Sequence, residues 1–187
     1  MAAKNTNIIF IGPVGAGKST QGQLVAKALN KPSLSLDSVA NKYYEANGFV
    51  SSHFHEMKSE LGYLAAYRYW WPSLAYAAQQ VVREYPDCVI DFGGGHSHYE
   101  DESLFMNVSA ALSCYSNIIL LLPSPNLDKS VLLLRERNSR NWVHNGYDFI
   151  EHWVKDDCNH RLSTMTIYTD GKKPEETRDE ILNTING

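Results

Sequence analysis

Gly12-Pro13-Val14-Gly15-Ala16-Gly17-Lys18-Ser19-Thr20 follows the apolar run Ile8-Ile9-Phe10-Ile11 and opens a helical pattern that begins at Lys18. A glycine-rich turn between strand and helix lets successive backbone N–H groups face a polyphosphate, and the helix N-terminus adds partial positive charge. The stretch therefore predicts a nucleoside triphosphate site made by Gly12, Val14, Gly15, Ala16, Gly17, Lys18, Ser19 and Thr20. In that pattern the Lys18 ammonium reaches the β- and γ-phosphates, and the Ser19 hydroxyl is a ligand for Mg²⁺.

Outward from this loop, apolar runs alternate with helical periodicity, the pattern of parallel strands joined by crossover helices in an α/β fold. Strands are predicted at 7–11, 33–36, 88–91, 117–122 and 164–168. Helices are predicted at 18–29, 39–47, 56–84, 101–114, 128–137 and 148–159, with a last one from Pro174. Leu24, Val25, Ala28 and Leu29 mark one face of the first helix. Asp37 and Ser38 are placed to cap the second, and Gly48 to stop it. Proline lacks the amide hydrogen a helix uses, so 56–84 is expected to divide or kink at Trp71-Pro72. The polar, asparagine-rich stretch 138–146 breaks periodicity and reads as a mobile loop. Neither repeat nor linker interrupts the chain, so residues 1–187 read as a single domain.

Composition sets the outer bounds. The chain has 187 residues and 43% hydrophobic content, enough to bury a core without disulfides or metal. A net charge of −4 with mixed signs leaves no basic stripe for nucleic acid. The longest apolar run, 118–122, is far too short to span a bilayer. Cys88, Cys114 and Cys158 lack paired metal-ligand spacing and read as reduced, structural thiols. Met1–Thr6 is short and polar, unlike a secretory leader. A cytoplasmic protein, monomer or homodimer, is expected.

In an open parallel sheet, ligands gather beyond the carboxyl ends of the strands. Asp37 after the second strand, and Asp91 with Gly93, Gly94 and Gly95 after the third, should therefore meet the phosphate loop around one cleft. The three glycines either admit a second ligand close to the backbone or form a flexible turn. Asp91 stands where many P-loop enzymes hold Mg²⁺ through water; the alternative is a structural charge with a partner. Asp37 either orients and deprotonates an acceptor hydroxyl or caps a helix.

The loop Gly12–Thr20, Asp37 after strand two and Gly93-Gly94-Gly95 after strand three resemble the shikimate kinases and related small-molecule P-loop kinases. That resemblance implies a three-layer fold, a five-stranded parallel sheet with helices on both faces, plus a helical substrate region near 38–84 and a lid near 138–147. It implies ATP- and Mg²⁺-dependent transfer of a γ-phosphoryl group to a hydroxyl of a small molecule. Tyr67-Arg68 is similar to the family's Phe-Arg step, so Arg68 becomes the candidate anchor for an acceptor carboxylate. Asp37, Gly93, Gly94 and Gly95 would complete that subsite. Arg135 resembles the arginine that stacks on adenine, while Lys172 and Pro174 lie in the segment 169–174 that would wrap it. By the same likeness Arg140, with Arg137 close by, would swing onto the transferring phosphate; Arg135, Arg137 and Arg140 are each either such a ligand-side cation or a solvated helix-end charge. Lys18, Asp37, Asp91 and Arg140 form the expected catalytic set, with Ser19 and Asp91 on the metal.

Departures from the family pattern bear on the acceptor. Ser35 stands where the family carries an acidic residue, Trp71 replaces a glutamate, and Arg161 is displaced from the place of a late substrate arginine. The expected acceptor is therefore a small molecule other than shikimate. A nucleoside or nucleotide kinase is a second reading, because Gln21 and the loop also resemble adenylate kinases. A slow ATPase switch is a third. The guanine-specifying Asn-Lys-x-Asp pattern is absent from the sequence. The aromatic series Tyr63, Tyr67, Tyr69, Trp70, Trp71 and Tyr76 either packs the core or lines the cleft, where it would favour a planar acceptor. The histidine pairs His53/His55 and His96/His98 lack thiolate or carboxylate partners at zinc spacing, and read as acceptor-pocket contacts or solvated loop residues.

Overall fold

Residues 5–186 are described by a computed structural model. Met1–Lys4, part of the segment read as unlike a leader, and Gly187 lie outside the described residues. The chain begins with β1 (Asn5–Ile11), α1 (Lys18–Leu29), β2 (Ser33–Ser35), α2 (Leu36–Val39) and α3 (Asn41–Ala46). It continues through α4 (Ser51–Leu61), α5 (Tyr63–Glu84), β3 (Val89–Asp91), α6 (Glu102–Leu112), β4 (Tyr115–Leu122) and α7 (Leu127–Arg137). A hairpin of β5 (Val143–His144) and β6 (Tyr147–Asp148) precedes α8 (Phe149–Lys155), α9 (Cys158–Leu162), β7 (Met165–Tyr168) and α10 (Pro174–Asn186).

Five strands form one parallel sheet in the order β2-β3-β1-β4-β7. Alternate side chains of a strand point to opposite faces, and here both faces are covered. Ile9 and Ile11 enter a core shared with α5, α6 and α9, while Ile8 and Phe10 enter the core under α1, α7, α8 and α10. Each such fully buried side chain stabilises the fold by roughly 1.5–3 kcal/mol. The α/β, three-layer architecture is as the sequence reads.

Several local expectations need correction. The buried stripe of α1 is Lys18, Gln21, Gly22, Val25 and Ala26, and Ala28 is exposed. The long helical segment divides at Gly62, not at Pro72, which sits inside α5. Gly62 adopts φ 89° and ψ 169°, a conformation open essentially to glycine alone, and it ends α4 as it starts α5. Pro72 is tolerated because its neighbours Trp71, Leu74 and Ala75 are anchored in the core on both sides of the missing bond. The segment expected as a loop contains a hairpin whose Asn145-Gly146 turn has positive φ at both residues (51° and 79°), the geometry of a tight two-residue turn. The helix expected over 148–159 is divided at Asp156, where the backbone turns extended.

Candidate active site

The strand register explains why distant motifs meet. Ser35 is level with Asp91, and Asp91 with Phe10. Two residues beyond each lie Asp37, Gly93 and Gly12, so three chain segments leave the sheet at one height. Gly12 passes so close to β4 that a Cβ there would lie 2.6 Å from the Leu121 carbonyl oxygen. Its φ of 128° excludes other residues as well.

Within the loop, buried Lys18 donates from Nζ to the carbonyls of Gly12 (2.8 Å) and Pro13 (2.9 Å). Burial pushes its pKa down to about 8, against the pull of Asp91 and Asp37. Asp91 is buried at the end of β3. Burial raises its pKa, while the Ser19 hydroxyl and Lys18 lower it. A serine hydroxyl paired with a carboxylate is a hard-oxygen donor set of the kind Mg²⁺ takes.

A cavity of about 350 Å³ lies over this cradle, with Gly15, Lys18, Ser19, Thr20 and Asp91 in its walls. A second, of about 340 Å³, is walled by Tyr44, Tyr63, Tyr67, Trp70, Trp142 and Trp153. Val14, Asp37 and Gly94 belong to both. Asp37 thus stands at the junction between phosphate cradle and aromatic chamber. A larger hollow of about 810 Å³, between Asn7, Pro86 and Tyr115, holds none of the predicted site residues.

The glycine triplet earns its composition through close approach, since none of its three residues has positive φ. A Cβ on Gly94 would lie 3.2 Å from the Val14 nitrogen, and one on Gly95 would lie 2.5 Å from the Tyr67 hydroxyl. Just beyond, buried His96 places Nε2 2.7 Å from the Tyr44 hydroxyl and Nδ1 3.6 Å from Asp37 Oδ1. Burial pushes the His96 pKa down to about 3, so the ring is neutral at ordinary pH. The walls around Asp37 raise its carboxyl pKa, and Lys18 opposes them. Asp37 is not the cap expected: α2 begins at Leu36 with Ser35 before it, and Asp37 sits in the first turn. Ser38 instead donates to the Ser35 carbonyl at 2.6 Å.

Cationic candidates are distributed unevenly. Arg140 reaches the aromatic chamber, with its guanidinium 4.6 Å from the Trp142 ring centre and 6.0 Å from that of Tyr63. Arg68 does not. It pairs with Glu100 at 2.9 and 2.6 Å and takes no part in the chamber wall, which corrects its expected place as acceptor anchor. Arg135 is held by Asp148 and Glu151, and Arg137 donates to Thr169. Lys172 is engaged by the Tyr168 carbonyl and Glu180, and the Pro174 carbonyl accepts from Gln21 at 2.9 Å. The Gln21 contact ties Pro174 to α1, and Arg135, Lys172 and Pro174 all lie outside the phosphate cavity.

Sequence reasoning missed Asn138. Its Nδ2 donates to the carbonyls of Val14 (3.2 Å) and Leu134 (2.7 Å), tying the start of the lid to the phosphate loop. Further on, His144 stacks on Tyr63 at 4.5 Å, so the hairpin lies over the α4–α5 junction. Among the histidines, His53 and His55 are exposed on α4, His96 lines the chamber, and His98 faces elsewhere.

Sheet order, phosphate cradle and lid together define the P-loop kinase fold. Over almost its whole length the chain is similar to shikimate kinases. The curated shikimate kinase of Marinomonas sp. (strain MWYL1) is 24% identical over 183 residues, covering 97% of this chain and 93% of that one. The fold matches the shikimate kinase from Acinetobacter baumannii in complex with shikimate (TM-score 0.66, 19% identity, 97% and 93% of the two chains). It also matches the shikimate kinase from Bacteroides thetaiotaomicron (TM-score 0.58, 20% identity, 97% and 99%). No family model matches the sequence.

Proposed function

We propose that this chain is an ATP- and Mg²⁺-dependent kinase that phosphorylates a hydroxyl on a small molecule with a flat, largely apolar ring, and that shikimate is not its preferred acceptor. The observation that carries the reading is the shared wall: Asp37 borders both the phosphate cradle and the aromatic chamber. A hydroxyl held in the chamber against Asp37 faces a phosphoryl group held against Lys18, the arrangement an in-line transfer requires.

Each residue then has a defined task. Lys18 exchanges its two carbonyl partners for phosphate oxygens. Asp37 orients the acceptor hydroxyl and takes its proton, aided by a carboxyl pKa that its surroundings raise. His96, neutral and anchored by Tyr44, lines the chamber beside Asp37 and is a further polar contact for the acceptor. Ser19 and Asp91 are the residues that would hold magnesium, which when bound neutralises charge on the phosphate oxygens. Arg140 and the 138–147 lid exclude water and add positive charge where the transferring group develops negative charge.

Acceptor class follows from the chamber walls. Shikimate is a carboxylated polyol and calls for cationic partners, whereas Arg140 is the one guanidinium in the described walls and shares them with six tyrosine and tryptophan rings. We further propose that the protein works in the cytoplasm as a single catalytic unit; among the described residues no helix is long and apolar enough to cross a membrane.

A thermal-shift screen with a non-hydrolysable ATP analogue tests the reading, using nucleosides, hydroxylated heteroaromatics, polyols and shikimate as probes. Compounds that raise the melting temperature are then assayed for ADP production. Turnover with a planar hydroxylated compound is expected. Shikimate as the best acceptor would overturn the acceptor class, and ATP hydrolysis stimulated by no small molecule would overturn the kinase.

A further inference from the structure

Away from the phosphate cradle, three ligand-type side chains converge that no step above uses. One atom each from His98, Asp156 and Cys158 lie within 4.8 Å of one another. His98 is 1% exposed, and both of its ring nitrogens lack a hydrogen-bond partner. A buried imidazole with two unmet nitrogens bears a desolvation penalty that the nearby Asp156 and Glu100 carboxylates and its own backbone offset only in part. Its Nε2 lies 3.6 Å from Asp156 Oδ1. Cys158 is buried, with Sγ 3.3 Å from the Tyr99 carbonyl oxygen. The His152 ring stands 4.6 Å from that of His98, and its buried Nε2 lies 3.5 Å from Glu100 Oε1 without a hydrogen bond.

We propose that His98, Asp156 and Cys158 bind a single zinc-type divalent cation, with His152 turning onto the ion as the fourth ligand. One thiolate, two imidazoles and one carboxylate suit a tetrahedral ion of borderline softness and are a poor set for magnesium or calcium. Ligand atoms 4.8 Å apart or closer need shifts of about 1 Å to reach the 2.0–2.3 Å bond lengths of such an ion. On binding, the sulfur–metal bond forms as the thiol proton leaves to solvent, with no change in oxidation state. The ion would join two walls of the aromatic chamber, because His98 follows Gly95 and His96 while Asp156 follows α8, which carries Trp153. Local sequence spacing conceals the site, since His98 and Asp156 are brought together only by the fold.

The test uses the full chain stripped of metal and free of nucleotide, titrated with zinc by calorimetry and with cobalt by absorbance. Saturable uptake of one zinc per chain, a rise of several degrees in melting temperature and a thiolate-to-cobalt band in the near ultraviolet are expected. The band should persist in Cys88→Ala/Cys114→Ser, where Cys158 is the remaining thiol, and vanish in Cys158→Ser. His98→Asn should weaken zinc binding by roughly tenfold or more, a loss that even outer-shell changes can reach. Absence of saturable uptake, a band that survives Cys158→Ser, or a double variant without the band would each overturn the site. Should Cys158→Ser fail to fold, the double variant decides alone.

Discussion

A Cβ placed on Gly93 would lie 2.6 Å from Cγ of Asp37. Because the Gly93 backbone needs no positive φ, the glycine is there for space, and the space is taken by the carboxylate. The Asp37 side chain is 66% exposed and can swing outward, so Gly93→Ala should change stability by less than about 1 kcal/mol while turning the carboxylate away from the cleft. The expected outcome is a kcat lowered about tenfold or more, with KM for ATP within about twofold and the denaturation midpoint nearly unchanged. Steady-state kinetics and denaturant unfolding of the variant check both, and a native kcat would show that the carboxylate does not depend on that volume.

Lys18 offers a test through pH. Its folded-state pKa of about 8 lies below the ordinary lysine value of 10.5, so between those values the unfolded chain binds more protons and the ligand-free protein gains stability as pH rises. Polyphosphate favours the charged ammonium, so nucleotide binding above about pH 8 should take up a proton and weaken as pH increases. Calorimetry at pH 8.5 in two buffers of different ionisation enthalpy reads that uptake directly. Lys18→Met should abolish the uptake; a buffer-independent binding enthalpy in the native protein would contradict the argument.

The parts legible in the sequence are those whose cause is local. Gly12–Thr20 announces itself because its glycines, lysine and serine act within nine residues, and the five strands are marked by apolar runs such as 118–122. The position of Asp91 at a strand end beside the cradle is legible for the same reason. The Arg68–Glu100 pair is not, because its partners lie 32 residues apart, and Glu100 competes with any ligand for the guanidinium. Pro72 misled because tertiary anchoring of its neighbours outweighs one lost hydrogen bond, whereas Gly62 carried the true break. The hairpin after Trp142 did have a local signal, the Asn145-Gly146 pair, hidden inside a polar stretch. The partners of His98 had none.

Asn138 should act as a latch between lid and phosphate loop. Its amide makes two hydrogen bonds, to Val14 and Leu134, and a Cβ on Gly15 would meet its Nδ2 at 2.6 Å. Asn138→Ala is expected to cost about 1–2 kcal/mol locally, two hydrogen bonds of ordinary net strength. Hydrogen exchange across 139–147 should accelerate roughly five- to thirtyfold while exchange in the central sheet is unchanged. Equal protection of the lid in both proteins would remove the latch.

Tyr67 separates acceptor binding from stability. Its buried hydroxyl faces Gly95 in the aromatic chamber, and it lacks a partner of hydrogen-bonding geometry although the Trp71 and Trp153 indoles lower the cost of its ionisation. Burial nonetheless drives its pKa well upward, so the phenol is protonated at every working pH and is available as a donor to a ligand. Removing an unmet polar group from an apolar wall relieves its desolvation penalty. Tyr67→Phe should therefore leave stability within about 0.5 kcal/mol or raise it by up to ~1 kcal/mol. The KM for the acceptor should rise about five- to thirtyfold as one acceptor hydrogen bond is lost, with KM for ATP and kcat within about twofold. Paired melts and steady-state kinetics check both halves. A loss of more than about 2 kcal/mol in stability would mean that the hydroxyl serves the core. An unchanged acceptor KM would mean that it faces no substrate.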